Sequence, residues 1–163
     1  TVFKIDLTSY AVTDTFVVGN NPGDVICDDN GDVYVVKRGD YSFNDPSELV
    51  RISSAGNVIN LGISASFLNR SEERLYVSYY NYDSGNGNVS IFNMNSESIE
   101  DQNILNGSET QTLYGATHHQ NQLFVQDAMN FTNTGYIHEF DISGSLSNSY
   151  SVGLNPTKVI YYD

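Results

Sequence analysis

Val18-Gly19-Asn20-Asn21-Pro22-Gly23-Asp24-Val25-Ile26 returns near the other end of the chain as Val152-Gly153-Leu154-Asn155-Pro156-Thr157-Lys158-Val159-Ile160. Gly, Pro, Val and Ile coincide in register across the two stretches. A Gly and Pro turn signal running into apolar residues marks the entry to a strand, and its recurrence means that the chain is built from copies of one unit. Between the two copies lie three short apolar strands of one pattern: Val33-Tyr34-Val35-Val36, Leu75-Tyr76-Val77-Ser78 and Leu123-Phe124-Val125-Gln126. Each is followed by a second type: Leu49-Val50-Arg51-Ile52-Ser53, Val89-Ser90-Ile91-Phe92-Asn93 and Ile137-His138-Glu139-Phe140-Asp141. A further copy of that type, Val2-Phe3-Lys4-Ile5-Asp6, opens the chain. Every copy ends in a small polar residue (Asp6, Ser53, Asn93, Asp141), after which a turn is expected.

The first-type strands begin at residues 33, 75 and 123, so the period is 42 and then 48 residues. No long window carries the i, i+3, i+4, i+7 apolar face of a helix. Four short strands in roughly 45 residues are the signature of a β-propeller blade. A sandwich of irregular strands is the alternative, and it does not predict a repeat. The expected fold is therefore all-β, a β-propeller of just under four four-stranded blades. With strands lettered a to d from the axis outward, residues 1–20 supply a partial blade (strands c and d, at 2–7 and 11–18). Full blades follow at about 23–62, 65–105 and 115–152, and a lone strand a closes the chain within 157–163. Either the chain is part of a ring of seven or eight blades, or four blades close by pairing the last strand with the opening ones. The second arrangement lacks a strand b, which favours the first. A partial ring exposes apolar faces and strand edges that a second copy or a missing half would cover.

The chain has 163 residues, 20 acidic and 7 basic, for a net charge of −13. Such a chain repels phosphate backbones, which excludes nucleic acid as a partner. No apolar run is long enough for a membrane helix. At 39% hydrophobic and 12% aromatic residues it is not a disordered tail. Its polarity comes from uncharged groups, 19 Asn, 19 Ser and 12 Tyr, a composition suited to an exported or surface protein. Cys27 is the only cysteine, so no internal disulfide forms, and its apolar run Val25-Ile26-Cys27 predicts a small buried hydrophobe. The opening Thr1-Val2-Phe3-Lys4-Ile5-Asp6-Leu7 already reads as a strand, with no initiator Met, signal peptide or lipidation motif, which suggests a cut inside a larger protein. Four sequons, at Asn69, Asn88, Asn106 and Asn130, are about what chance predicts for this composition.

The stretch 18–36, the strand 89–99 with its following turn, and the closing 152–163 resemble the surface-layer-like, quinoprotein-like seven-bladed propellers exported by Bacteroidota, a group largely without assigned function. The resemblance spans essentially the whole chain, and its motifs are short and common to blades in general. It implies that the closing residues are a natural C-terminus and that this chain is the C-terminal half. Some members of that group are lipid-anchored surface proteins that capture cobalamin for an outer-membrane transporter. No cobalamin-specific motif carries over to residues here, so a corrinoid is an implication of fold alone.

In a propeller the b–c and d–a connections share one face of the disc. The b–c connections here are expected to be long and rich in recognition groups. Arg38, Asp40 and Tyr41 belong to the first, Tyr79, Tyr80, Asn81 and Tyr82 to the second, and Asp127, Met129, Asn130 and Phe131 to the third. Aromatic rings beside amides and carboxylates suit a polar, ring-bearing small molecule such as a glycan or corrinoid, and equally a protein partner. The alternative is that these loops pack on one another.

Other constellations carry less. Asp28-Asp29-Asn30-Gly31-Asp32 lacks the twelfth-position Glu of a calcium loop and reads as a hairpin turn. His118 and His119 are adjacent on a strand and point to opposite sides, poor geometry for one metal, with or without His138. No G-x-S-x-G elbow supports a Ser/His/Asp triad. Gly85-Asn86-Gly87 reads as a turn before a strand and not as a nucleotide site. The expectation is a non-enzymatic, exported binding propeller without cofactor or metal, secreted or at the cell surface, taking a small molecule or a protein on its long-loop face and capable of self-association. A propeller lactonase or hydrolase with an axial cation, and a structural module for cell-surface assembly, are the alternatives.

Overall fold

The computed structural model describes residues 1–105 and 110–161, and of Tyr41 the backbone alone. Among the described residues the only helical element is a 3₁₀ turn, Tyr41–Phe43. The strands are β1 (Val2–Ile5), β2 (Val12–Phe16), β3 (Pro22–Cys27), β4 (Val33–Lys37), β5 (Glu48–Ile52), β6 (Val58–Asn60), β7 (Phe67–Ser71), β8 (Arg74–Asn81), β9 (Asn86–Asn93), β10 (Ser98–Asp101), β11 (Leu113–His119), β12 (Gln122–Asp127), β13 (Tyr136–Asp141) and β14 (Leu146–Ser151). They form one two-stranded sheet, β1-β2, and three four-stranded antiparallel meanders, β3 to β6, β7 to β10 and β11 to β14, each in sequence order. Each meander has the four antiparallel strands of a propeller blade, strands a to d following the chain, and β1-β2 is a two-stranded sheet at the place expected for strands c and d. The chain divides into two compact units, Thr1–Ser66 and Phe67–Asp163.

The small polar residue that closes each c strand builds the turn after it. Asp6 Oδ1 accepts the N–H groups of Thr8 and Ser9 at 3.0 and 2.6 Å. Ser53 Oγ accepts from Asn57 at 3.1 Å. Asn93 Oδ1 accepts from Asn95 and Ser96 at 2.9 and 3.0 Å. Asp141 Oδ1 accepts from Ser143 and Ser145 at 2.9 and 3.0 Å. A short side chain that bonds backbone two to four residues ahead competes with further ladder formation, so the strand stops and reverses there. One residue type at one register position thus sets the c–d turn four times over.

In the first unit, Val35, Val50 and Ile52 of the β3–β6 blade form a core with Val18, and Val2, Phe16 and Val33 pack against it. In the second, Tyr76, Val89 and Ile91 of the β7–β10 blade meet Leu123, Val125 and Phe140 of the β11–β14 blade. Each such side chain contributes about 1.5–3 kcal/mol when fully buried. In both units the core lies between neighbouring sheets, as the alternating pattern of the strands requires.

Four expectations are corrected. Cys27 is exposed. It pairs with Val33 and Val25 pairs with Val35, so both sit on the side of the blade that packs on β1-β2. That sheet has two strands among the described residues, too few to cover them, and Val25 is exposed too. Second, Tyr79, Tyr80 and Asn81 lie in β8, whose ladder with β9 runs on to Asn81↔Asn86, leaving a b–c connection of only Tyr82 to Gly85. Third, Asn86 and Gly87 belong to β9. A side chain at Gly87 would place its Cβ 2.8 Å from that of Leu113, so glycine there lets β11 approach β9. Fourth, residues 157–161 form no strand, because no neighbouring strand pairs with them among the described residues. They lie over the β11–β14 blade: the Tyr161 ring stacks on His119 at 4.0 Å and meets Phe124 at 5.1 Å. Tyr162, Asp163 and the sequon at Asn106 fall outside the described residues.

Candidate functional site

The b–c connections are held by the polar residues expected to touch a ligand. Asp40 Oδ1 accepts the Ser42 N–H at 2.9 Å, and its backbone bridges Asp45. Asn81 Oδ1 accepts from Asp83 and Ser84 at 2.9 and 3.2 Å. Asn130 Oδ1 accepts from Thr132 and Asn133 at 3.2 and 2.9 Å. These are the same turn-building contacts as on the opposite side of the blades. In the first blade, the Lys37 ammonium bridges Asp45 and Glu48, both at 2.8 Å, and fixes the base of the connection. Hydrogen bonding to Asp45 and then to Glu48 raises the Lys37 pKa. Arg38 stays half-exposed, its guanidinium 4.0 Å from Asp24. The backbone of Tyr41 lies in the 3₁₀ turn, and its side chain is outside the description.

Asp127 is a clamp and not a surface group. It is fully buried at the end of β12. Oδ1 accepts from Thr112 and Met129 at 2.9 and 2.8 Å, and Oδ2 accepts from Gln111 at 2.8 Å. Burial raises its pKa, the largest single influence. Hydrogen bonds from His138 and from the three backbone N–H groups together outweigh that and hold it below the ordinary carboxylate value. The clamp holds two left-handed residues, Met129 at φ +53° and Phe131 at φ +65°. Such a conformation costs a side-chain-bearing residue about 1–2 kcal/mol. Further bonds offset this: Ala128 N–H to Thr112 O at 3.0 Å, Phe131 N–H to Ala128 O at 2.9 Å, and the Thr112 hydroxyl to Met129 O.

The strained segment presents an aromatic row. The Phe131 ring meets Tyr114 edge-on at 5.7 Å, and Tyr114 meets Phe67 edge-on at 5.5 Å. Phe67 and Tyr114 stand near the starts of β7 and β11, both strands a, opposite the b–c ends of β8 and β12. Phe131 remains 39% exposed. Beside it, the Asn130 amide N–H groups have no partner among the described residues. A second pair, Tyr80 and the exposed Tyr82, meets edge-on at 4.9 Å. The structure therefore separates the expected residues. Tyr80, Tyr82, Asn130 and Phe131 offer rings and a donor, whereas Asp40, Asn81, Asp127 and Met129 shape backbone. Phe67 and Tyr114 escaped sequence reasoning, since each reads as an ordinary apolar residue entering a strand.

A second constellation is of the Ser/His/Asp kind that the sequence alone sets aside for want of a G-x-S-x-G elbow. His138 Nδ1 lies 2.8 Å from the Ser149 hydroxyl, and Nε2 lies 3.4 Å from Asp127 Oδ2. With the Nε2 proton directed at the carboxylate, Nδ1 is left to accept from Ser149, the polarity of a general base. The three residues come from adjacent strands β12, β13 and β14, with Ser149 directly opposite His138. The discounted loop 28–32 is a turn: Asp28 Oδ1 accepts from Asn30 and Asp32 at 2.9 and 2.8 Å.

The β-propeller domain of the Trilobed protease from Pyrococcus furiosus, described as having an open velcro topology, superposes on this chain with a TM-score of 0.52 at 11% identity. The match covers 85% of this chain and 45% of that one, so the chain spans under half the length of its structural neighbour. No family model and no curated protein matches the sequence. At that identity the likeness shows the fold, a β-propeller, and nothing finer.

Proposed function

We propose that this propeller is a non-catalytic, exported binding module that takes a polar, ring-bearing small molecule, a glycan or a corrinoid, on its b–c face. One observation carries the reading. Residues 128–133 hold two side-chain-bearing residues in the left-handed region and clamp them through a buried carboxylate, and the product of that strain is an exposed ring, Phe131, aligned with Tyr114 and Phe67. Strain that the surrounding structure holds in place concentrates at binding and active sites. Rings that meet edge-on leave faces for a sugar or corrin to stack on, and the Asn130 amide supplies a donor. The family resemblance of the sequence to exported Bacteroidota propellers supports the compartment and the corrinoid.

The test is thermal unfolding with cobalamin and a panel of mono- and oligosaccharides. A ligand at about 100 times its Kd stabilises by about 2.7 kcal/mol, which raises the Tm of a chain this size by roughly 5–10 °C. Phe131→Ala and Tyr114→Ala abolish the rise. No rise with any member of the panel overturns the small-molecule reading.

The relay Asp127–His138–Ser149 favours a second reading, a hydrolase. Ser149 Oγ attacks an ester carbonyl, its proton passes to His138 Nδ1, the alcohol leaves with that proton, and water releases the acyl group by the same route. Treatment with a fluorophosphonate probe decides between the two. Labelling of wild type that is lost in Ser149→Ala establishes the hydrolase, and the first reading expects none.

A further inference from the structure

Three Asn-Gly pairs stand in the chain, at residues 30–31, 86–87 and 106–107, and the last lies outside the described residues. An asparagine before a glycine carries a chemistry of its own. The glycine nitrogen, once it has lost its proton to base, reaches the side-chain carbonyl carbon of the residue before it. Glycine has no β-carbon to shield that approach. The reacting atoms belong to adjacent residues, so the attack is intramolecular and needs no other molecule but water. The fold controls two things: whether the glycine N–H is free, and whether the backbone can turn inward to close a five-membered ring.

The two described pairs differ in both respects. Asn30 and Gly31 are exposed at the tip of the β3–β4 hairpin. Asp28 Oδ1 accepts the N–H groups of Asn30 and Asp32, at 2.9 and 2.8 Å, and passes over that of Gly31 between them. The Gly31 N–H and the Asn30 side chain have no hydrogen-bond partner among the described residues. Glycines of other turns are held: Gly56 donates to Ser53 O at 2.7 Å, Gly85 to Asn81 O at 2.9 Å and Gly144 to Asp141 O at 3.0 Å. A β-carbon built on Gly31 would meet only the Ser54 side chain, at 3.7 Å, so the space around this residue is open. Asn86 is exposed as well, but it and Gly87 lie in β9, paired with Asn81 and Tyr80 of β8. Gly87 is half-buried, and a β-carbon there would come within 2.8 Å of that of Leu113. Ring closure takes the backbone out of the extended conformation, so this second pair reacts only after the end of the ladder has opened.

We propose that Asn30 is a self-modification site, converting to aspartate and isoaspartate in the folded protein. Gly31 N bonds to Asn30 Cγ, and the side-chain nitrogen leaves as ammonia, which closes a succinimide. Water then opens the ring. Breaking the Cγ–N bond gives aspartate, and breaking the bond from the main-chain carbonyl carbon to Gly31 N gives isoaspartate. The sum is asparagine and water going to acid and ammonia, with no oxidant or reductant. The new carboxylate joins Asp28, Asp29 and Asp32 in one turn. In the isoaspartyl product the main chain runs through the side chain and gains one carbon inside the span that Asp28 brackets. Asp32, at the end of that span, accepts the Ser54 N–H at 2.7 Å and lies 3.5 Å from Arg51 of β5. The change therefore falls where the hairpin is tied to the rest of its blade. The proposal does not depend on what the b–c face binds.

Incubation of the native 163-residue chain in mildly alkaline buffer tests it, with the same chain in urea alongside. Samples are digested with pepsin in acid, which halts the reaction, and the peptides are weighed site by site. In the native chain Asn30 gains the mass of an amide-to-acid exchange at least about 10-fold faster than Asn86, because only Asn86 waits on local opening. In urea the two rates converge. An isoaspartyl methyltransferase labels the Asn30 peptide of the aged native chain, and Asn30→Gln, whose longer side chain cannot close the five-membered ring, removes that label. A native rate at Asn30 no faster than at Asn86 overturns the proposal. So does an equal gap between the two in urea, since sequence and not the fold would then set it. A product that is aspartate alone also overturns it, because direct hydrolysis by water makes no isoaspartate.

Discussion

Asp127 keeps its charge although it is 1% exposed, and the fold around β12 depends on that charge. Asp127→Ala leaves three backbone N–H donors and His138 without their acceptor and should cost about 3–5 kcal/mol in urea unfolding. The pH dependence follows from its lowered pKa. The folded form binds the proton less readily than the unfolded chain, so this stability is complete above the ordinary value of 3.8 and is lost as pH falls through the lower folded value. His118 is the opposite kind of residue. Its ring stacks on Tyr76 at 4.5 Å, and both ring nitrogens are shut off from solvent without a hydrogen-bond partner among the described residues. Burial, and then the neighbouring His119 and Arg74, lower its pKa from 6.5. The unfolded chain therefore takes up the proton first, and stability falls as pH drops below about 6.5. His118→Phe keeps the stacking and removes two stranded polar atoms. It should be neutral or stabilising by up to about 1 kcal/mol at pH 7. Its unfolding midpoint should change less between pH 7 and pH 5 than that of wild type. A loss of more than 1 kcal/mol at pH 7 would mean that the ring nitrogens have a partner after all.

At the scale of elements, the b–c connection 38–47 hangs on one ammonium. Lys37 is mostly buried between Asp45 and Glu48, and Asn20 and Asn60 complete the cage at 3.0 and 2.6 Å. Lys37→Met leaves two carboxylates facing each other with their cation removed. The expected loss is about 1–3 kcal/mol, most of it local to the connection. Trypsin reads this directly, because Arg38 is half-exposed at the start of the loop. Cleavage after Arg38 should be at least several-fold faster in Lys37→Met, with the far-UV spectrum unchanged. Equal rates would show that the 3₁₀ turn and the Asp40–Asp45 bridge hold the loop without the cage. The same comparison of elements shows why the second connection was misjudged. Tyr79-Tyr80-Asn81 is rich in recognition groups, but its alternation simply continues the β8 ladder, and Asn81 is where the turn begins.

For the whole molecule, charge repulsion outweighs attraction. Seven basic side chains face 20 acidic ones. Exposed pairs such as Arg74–Glu100, at 2.7 Å, contribute at most about 1 kcal/mol. Raising NaCl from about 10 to about 150 mM shortens the screening length from about 30 to about 8 Å. The thermal midpoint should rise, because relief of self-repulsion exceeds the loss from the few ion pairs. A midpoint that falls with salt would show that specific pairs dominate.

The repeat determined the class of fold by itself, because strand alternation, turn residues and blade period are local properties that each residue expresses through its own backbone. Asp6, Ser53, Asn93 and Asp141 were visible as strand ends, and each builds its turn within four residues. Tertiary structure decided what a residue faces. Cys27 read as buried, yet it is exposed, because the sheet beside its face, β1-β2, has two strands among the described residues. The row Phe67–Tyr114–Phe131 and the relay Asp127–His138–Ser149 join residues far apart in sequence. No spacing rule connects them, because they meet only where separate strands are laid side by side and blades are stacked. Asp40, Asn81 and Asn130 have the composition of a binding surface, but the geometry spends their oxygens on their own turns and leaves recognition to the rings beside them.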